Sequence, residues 1–239
     1  MIRDEYLDMI KQTRQYLKHQ RDLFGEELFL ENPKVFESDQ TSKSYQTLDE
    51  LKEAIQDCQK CPLSKTRTHF VFGTGSPDAN LMLIGEAPGS DEDLQGEPFV
   101  GRAGQLLDKI LAAIEFQRKE VYIGNILKCR PPNNRDPLPE EVALCMSHLM
   151  NQIDIIQPKI ILALGRIAAQ TLLKTSTSLS QLRSEELTFN HIPFFVTYHP
   201  AALLRNPHWK RAVWEDVQHI RSFYDEIVGD KPKLQPPKK

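Results

Sequence analysis

Leu81–Gly85 reads LMLIG, five residues without a polar side chain. A short apolar run with no alternation fits a strand buried on both faces, as in the middle of a parallel sheet. Three more such runs follow: VYIGNIL (121–127), IILALG (160–165) and FFVTY (194–198). Helical patterns lie between them. GQLLDKILAAI (104–114) carries Leu107, Ile110, Leu111 and Ile114 at helical spacing. A second helix is expected from Pro139 to about 156, a third from Arg166 to about 174, and a last from about 207 to 227, with Trp209, Val213, Val217, Ile220, Tyr224 and Ile227. Alternating strands and helices predict an α/β fold with a parallel sheet and helices on its faces. The unusual residues gather at carboxyl ends of strands. GEAPG follows the first, Asn125 and Lys128-Cys129-Arg130 end the second, and His199-Pro200 follows the fourth. Open α/β sheets bind ligands at that edge, so one cleft is expected there.

The 239 residues allow one large domain, or one domain with an appendage, and a core that needs no disulfide staples. A net charge of −3 excludes a globally basic nucleic-acid binder and leaves room for a local basic patch. No apolar run approaches the roughly 18 residues of a membrane span. The opening MIRDEYLDMIKQ lacks a signal-peptide core, so a cytoplasmic, reducing compartment is expected. The four cysteines then read as free thiols or metal ligands. Residues 1–30 read as an amphipathic helix with Tyr6, Ile10, Leu17 and Phe24 on one face, packed on its own domain or docking a protein partner. Residues 31–46 read as a linker, Thr47 and Glu50 as a capping box opening the domain at 47–228, and 229–239 as a disordered tail.

Phe99 stands in PFVG inside the glycine-rich loop GEAPGSDEDLQGEPFVGRAG (85–104). It is either a core anchor or a stacking platform for a flat ring, with glycines letting backbone approach the ligand. The loop is neither GxGxxG nor a P-loop, which counts against a nucleotide cofactor. Asn125 is a polar residue in an apolar strand. Its amide either bridges backbone or reads a base edge, donating to uracil O4 and accepting from N3–H, a pattern that cytosine reverses. His199 could donate where negative charge develops. Of the carboxylates Glu86, Asp91, Glu92 and Asp93, one near a sugar could orient water. Cys58-x2-Cys61 with Cys129 and Cys145 suggests a four-thiolate site. The wide second spacing suits an iron–sulfur cluster better than a zinc ribbon, with zinc or free thiols as the alternatives. KCRPPNNRDP (128–137) and LLRNPHWKR (203–211) read as basic loops that track phosphates or are simply solvated.

These motifs together resemble the family 4 uracil-DNA glycosylases, the iron–sulfur type. The resemblance rests on GEAPGSDEDLQGEPFVGRAGQLLDKIL, GNILKCRPPNNRDP, YHPAALLRNP and the four cysteines, in that order, over about residues 50–228. It implies a three-layer αβα fold with a four-stranded parallel sheet, a [4Fe–4S] cluster on Cys58, Cys61, Cys129 and Cys145, and hydrolysis of the N-glycosidic bond of uracil in single- or double-stranded DNA by a monomer. Glu86 and the Ala87 backbone are then expected to line the uracil pocket. Phe99 would stack on the base, Asn125 read its edge and His199 contact O2, with Glu92 a further acid nearby. Leu204 and Arg205 fall in the DNA-penetrating segment, and Arg130 in a DNA-facing loop. Position 87 is Ala where some relatives have Gly, which a backbone contact tolerates. No inserted basic loop of the DNA-trapping branch is visible, and Glu86 argues against the family 5 branch. A non-catalytic DNA-binding protein of the same fold and a broader deaminated-base glycosylase are the competing expectations.

Overall fold

The computed structural model of this chain describes residues 45–232. The expected amphipathic helix at 1–30, nearly all of the expected linker at 31–46, and residues 233–239 of the expected tail lie outside the described residues. Helix α1 (Leu48–Ile55) starts at Thr47, whose Oγ1 accepts from the Glu50 N–H at 3.2 Å. The Glu50 carboxylate accepts from the Gln46 N–H at 2.9 Å, one residue before the donor that a capping box uses. There follow β1 (Thr74–Gly75), β2 (Leu81–Gly85), α2 (Ser90–Gln95), α3 (Arg102–Ala113), β3 (Tyr122–Asn125), α4 (Pro139–Ile156), β4 (Ile160–Leu164) and α5 (Arg166–Leu173). The chain then forms α6 (Leu179–Leu182), β5 (Leu187–Phe189), β6 (Ile192–Thr197), α7 (Pro200–Arg205) and α8 (Lys210–Ile227).

All four expected strands form, and they pair in parallel in the order β3-β2-β4-β6. Two short antiparallel strands extend the edges, β1 on β3 and β5 on β6, making six. Neither was legible in the sequence. β1 is two residues long, and β5 is only partly buried, so neither shows a clear apolar run. The turn from β5 to β6 uses Asn190 and His191, both at positive φ (48° and 67°), without the glycine that marks such a hairpin.

The unbroken apolar run of LMLIG now has a physical meaning. Met82 and Ile84 pack with Leu149 and Ile153 of α4 and Ala168, Ala169 and Leu172 of α5. Leu81 and Leu83 pack on the opposite face with Leu107 and Leu111 of α3 and Val213 and Val217 of α8. Each strand residue is therefore covered, which is why the run is continuously apolar, and the domain has three layers. Burying each such Leu or Ile contributes about 1.5–3 kcal/mol. The register places Gly85 beside Asn125, and Leu164 beside Thr197, two residues before His199. The three expected motifs thus emerge at one edge of the sheet. Residues 229–232 lie against the domain, where Lys231 Nζ meets Glu120 Oε1 at 2.5 Å and the buried Arg221 donates to the Pro232 carbonyl.

Candidate functional site

The glycine-rich loop is built around two inward-turned acids. Glu92 Oε1 accepts from the N–H groups of Val100 (3.0 Å) and Gly101 (3.1 Å), and its Oε2 accepts from Gly89 N–H at 3.1 Å. One carboxylate therefore closes the loop on itself. Buried Asp93 accepts from the Thr68 N–H at 2.8 Å and hydroxyl at 2.9 Å, tying α2 to the segment before β1. Phe99 is held at φ 54°, a left-handed conformation unusual for a bulky residue. Two features hold it there. Arg118 donates to the carbonyls of Pro98 and Phe99. Gly104 packs beneath, where a Cβ would lie 1.7 Å from the Phe99 carbonyl oxygen.

Phe99 and Asn125 converge over Gly85. Asn125 is 2% exposed, and its Oδ1 is the one buried side-chain N or O atom without a hydrogen-bond partner among the described residues. Buried polar atoms are rarely left unpaired, and this oxygen bridges no backbone group among the described residues. The Phe99 and His199 rings lie 5.4 Å apart, tilted by 30°. His199 caps α7, its Nδ1 accepting from the Ala201 N–H at 3.1 Å. The ring proton then sits on Nε2. Burial, helped by the Arg205 charge, pushes the His199 pKa down to about 4, so the imidazole is neutral at pH 7 and offers an Nε2–H donor. Burial together with the charge of Asp136 raises Glu86 to about 7, while Arg166 opposes the shift.

These groups line a cleft of about 380 Å³, of the size that takes a small ligand. Seven expected residues meet there: Glu86, Ala87, Glu92, Phe99, Asn125, His199 and Arg205. Arg130 and Leu204 lie outside its walls. Arg130 Nε donates to Asn134 Oδ1 at 2.7 Å and braces the neighbouring loop. Leu204 is 40% exposed on α7, beyond which Trp209 stacks on Tyr198 at 4.6 Å and fixes the return of the chain. Sequence reasoning missed Arg135 and Asp136, which also line the cleft. Both sit in KCRPPNNRDP, read there only as a basic loop. Arg135 is paired with Glu141 at 2.6 Å, and Asp136 faces Arg166 at 3.3 Å. The stretch is therefore less basic than its composition suggests.

The four cysteines come from three parts of the chain. Cys58 and Cys61 follow α1, Cys129 follows β3 and Cys145 lies on α4. Among the described residues no three His, Cys, Asp or Glu side chains close around a single ion. The thiols are nonetheless electrostatic neighbours. Cys129 feels Cys61 and Cys58, and Cys145 feels Cys129 and Cys61. Burial raises Cys145 to about 11 and also raises Cys129, so a metal group bound here must displace protons. Two nitrogen-bearing side chains lie beside these sulfurs. Arg67 reaches Cys129 Sγ at 3.1 Å, and His148 Nε2, which sequence reading passed over, lies 3.2 Å from Cys58 Sγ. Four cysteines within electrostatic reach of one another, with Arg67 and a ring nitrogen of His148 beside two of the sulfurs, have the donor chemistry of a thiolate-held iron–sulfur group.

Comparison with known proteins agrees with this geometry. A family model described as the uracil DNA glycosylase superfamily matches residues 72–218. The chain is 44% identical over 194 residues to the type-4 uracil-DNA glycosylase of Archaeoglobus fulgidus, covering 78% of this chain and 96% of that one. It is 42% identical over 180 residues to the type-4 uracil-DNA glycosylase of Thermotoga maritima, covering 72% of this chain and 92% of the other. A type-5 uracil-DNA glycosylase of Pyrobaculum aerophilum is more distant, at 30% over 188 residues. Among the described residues no helix is long and apolar enough to cross a membrane.

Proposed function

The chain belongs to the uracil DNA glycosylase superfamily, and we propose that it excises uracil from DNA by hydrolysing the N-glycosidic bond, leaving an abasic site. The observation that carries this reading is the unpaired Oδ1 of Asn125 beside Phe99 and a neutral His199. Uracil flipped out of the helix offers a flat face to Phe99. Its N3–H supplies the donor that Asn125 Oδ1 lacks, and its O4 accepts from the same amide. Cytosine would meet that amide with the opposite pattern and leave buried polar groups unpaired, which discriminates strongly.

As the C1′–N1 bond stretches, negative charge moves onto uracil O2 and positive charge onto the sugar. The Nε2–H of His199 stabilises the first. A neutral imidazole suits this role, because its Nδ1 stays engaged with Ala201 and the donor direction is set before the base arrives. Glu86, ionised above about pH 7, stabilises the second and orients the attacking water. Glu92 acts through the loop: both its oxygens hold backbone N–H groups, so it positions Phe99 and does not face the sugar as a free acid. Arg205 and the exposed Leu204 approach the DNA from α7, with Arg130 on the opposite loop. Cys58, Cys61, Cys129 and Cys145 would hold a [4Fe–4S] cluster that ties the segment after α1 to the end of β3 and to α4, a structural staple next to the cleft.

The test is single-turnover cleavage of labelled oligonucleotides carrying U·G, U·A, single-stranded U, hypoxanthine or T·G, with alkali revealing abasic sites. Excision of uracil alone, lost in Asn125→Ala, is the expected result. Excision of hypoxanthine as well would broaden the substrate class. Binding without excision of any base would return the protein to a non-catalytic DNA-binding role.

A further inference from the structure

Two basic side chains among the described residues are fully buried, Lys128 and Arg221. Arg221 has a carboxylate partner, Asp225 at 2.9 Å. Lys128 has none among the described residues. Its Nζ donates to two neutral oxygens, the backbone carbonyl of Asn125 at 2.8 Å and Gln152 Oε1 at 2.6 Å. Gln152 is itself buried and clamped, its Nε2 donating to the Phe72 carbonyl at 2.8 Å and to the Tyr122 hydroxyl at 2.9 Å. The ammonium is thus anchored on a rigid scaffold and grips the last carbonyl of β3.

That carbonyl belongs to the residue whose side-chain oxygen is unpaired in the cleft. The chain past Asn125 runs beside β2, with Ile126 N–H donating to the Gly85 carbonyl at 3.0 Å and Leu127 N–H to the Glu86 carbonyl at 3.0 Å. It reaches Cys129 one residue beyond Lys128. A buried ammonium without a counter-charge is costly, and neutral acceptors offset only part of that cost. A counter-charge can come from the adjoining cysteine site: Cys129 is the next residue in the chain, and the Lys128 backbone N–H faces the Cys145 sulfur. Four metal-bound thiolates would supply it.

We propose that Lys128 is a positioning residue linking the two sites, its buried ammonium balancing the metal-bound thiolates while its hydrogen bond to the Asn125 carbonyl sets the base-reading amide. The proposal rests on the uracil-excising, cluster-holding reading above. It makes the cysteine site more than a structural staple. The charge that the site stabilises is the charge that aims Asn125.

The experiment uses the full chain purified with its iron–sulfur group, and begins with wild-type excision of uracil from a U·G oligonucleotide. No excision there defeats the functional reading whatever Lys128 does. With wild type active, Lys128→Met is compared by single-turnover rate, by affinity for uracil-free DNA and by the reduction potential of the bound group. Loss of such an outer partner is expected to slow excision about 10–100-fold with DNA affinity unchanged. The potential is expected to move to more negative values, because a positive neighbour has gone. Excision within about threefold of wild type, or an unmoved potential, overturns the proposal. Where Lys128→Met does not fold, Gln152→Met leaves the charge in place and removes one anchor. It is expected to slow excision at unchanged potential, and a wild-type rate overturns the proposal.

Discussion

Gly85→Ala adds one methyl group at the meeting point of the site. A Cβ built there lies 2.4 Å from Asn125 Oδ1 and 2.7 Å from Phe99 Cζ, where ordinary contact begins at 3.4 Å. The backbone cannot retreat to make room. Gly85 ends β2, which is paired on both sides, and its carbonyl holds the Ile126 N–H at 3.0 Å. Nor can the Phe99 backbone move easily, since Arg118 grips the Pro98 and Phe99 carbonyls and Gly104 closes beneath. The Asn125 amide or the Phe99 ring must therefore shift by about 1 Å, and a misplacement of that size costs roughly 10²-fold in rate. Overpacking also destabilises by about 1–3 kcal/mol. For a domain of this size each kcal/mol lowers Tm by about 2–4 °C. The expected outcome is a folded protein with a slightly lower Tm, wild-type affinity for uracil-free DNA and uracil excision slowed about 10²-fold in single turnover. An excision rate within about threefold of wild type, with the modest Tm loss present, would show that the base does not sit between Asn125 and Phe99.

Further expected outcomes concern His199, Glu86 and Cys145. His199→Ala should slow single-turnover excision by about 10²–10³ across the neutral range, where the imidazole is uncharged. The same depressed pKa means that acidification from 6.5 toward about 4 removes stability from the folded wild type, but not through this group in the variant, which an acid unfolding titration reads directly. Excision by wild type should rise with pH through about 7 as Glu86 ionises, and Asp136→Asn should move that inflection downward while Glu86→Gln abolishes it; a pH–rate profile with no inflection near 7 contradicts the role given to Glu86. Because its carboxylate is penalised in the folded state, Glu86 also withdraws stability as pH rises from 4.5 through about 7. Cys145→Ser should lose iron and visible colour and lower Tm, as iron analysis and thermal melting measure; full iron content would remove Cys145 from the ligand set.

The sheet was legible because burial on both faces writes itself into consecutive residues. LMLIG, IILALG and the others needed no partner to be recognised as central strands, and helical spacing in GQLLDKILAAI and the last helix was equally local. Since ligand sites gather at carboxyl ends of parallel strands, Glu86, Asn125 and His199 could also be grouped from the sequence alone. The edge strands escaped because short, half-exposed segments carry no periodicity, and α2 was hidden among the glycines and acids of the loop.

What only the tertiary structure decided is which group faces which. A carboxylate's task depends on its surroundings, so the sequence alone could not separate Glu92, spent on three backbone N–H groups, from Glu86, left in the cleft beside Asp136. Lys128 looked like one more residue of a basic loop. Its burial against Gln152, and its grip on Asn125, arise where α4 packs beside the end of β3. Apolar periodicity is a property of neighbours in the chain, and one sequence carries it entire. Desolvation and charge pairing are set by groups that meet only after the chain has folded, often dozens of residues apart, and no local pattern records them.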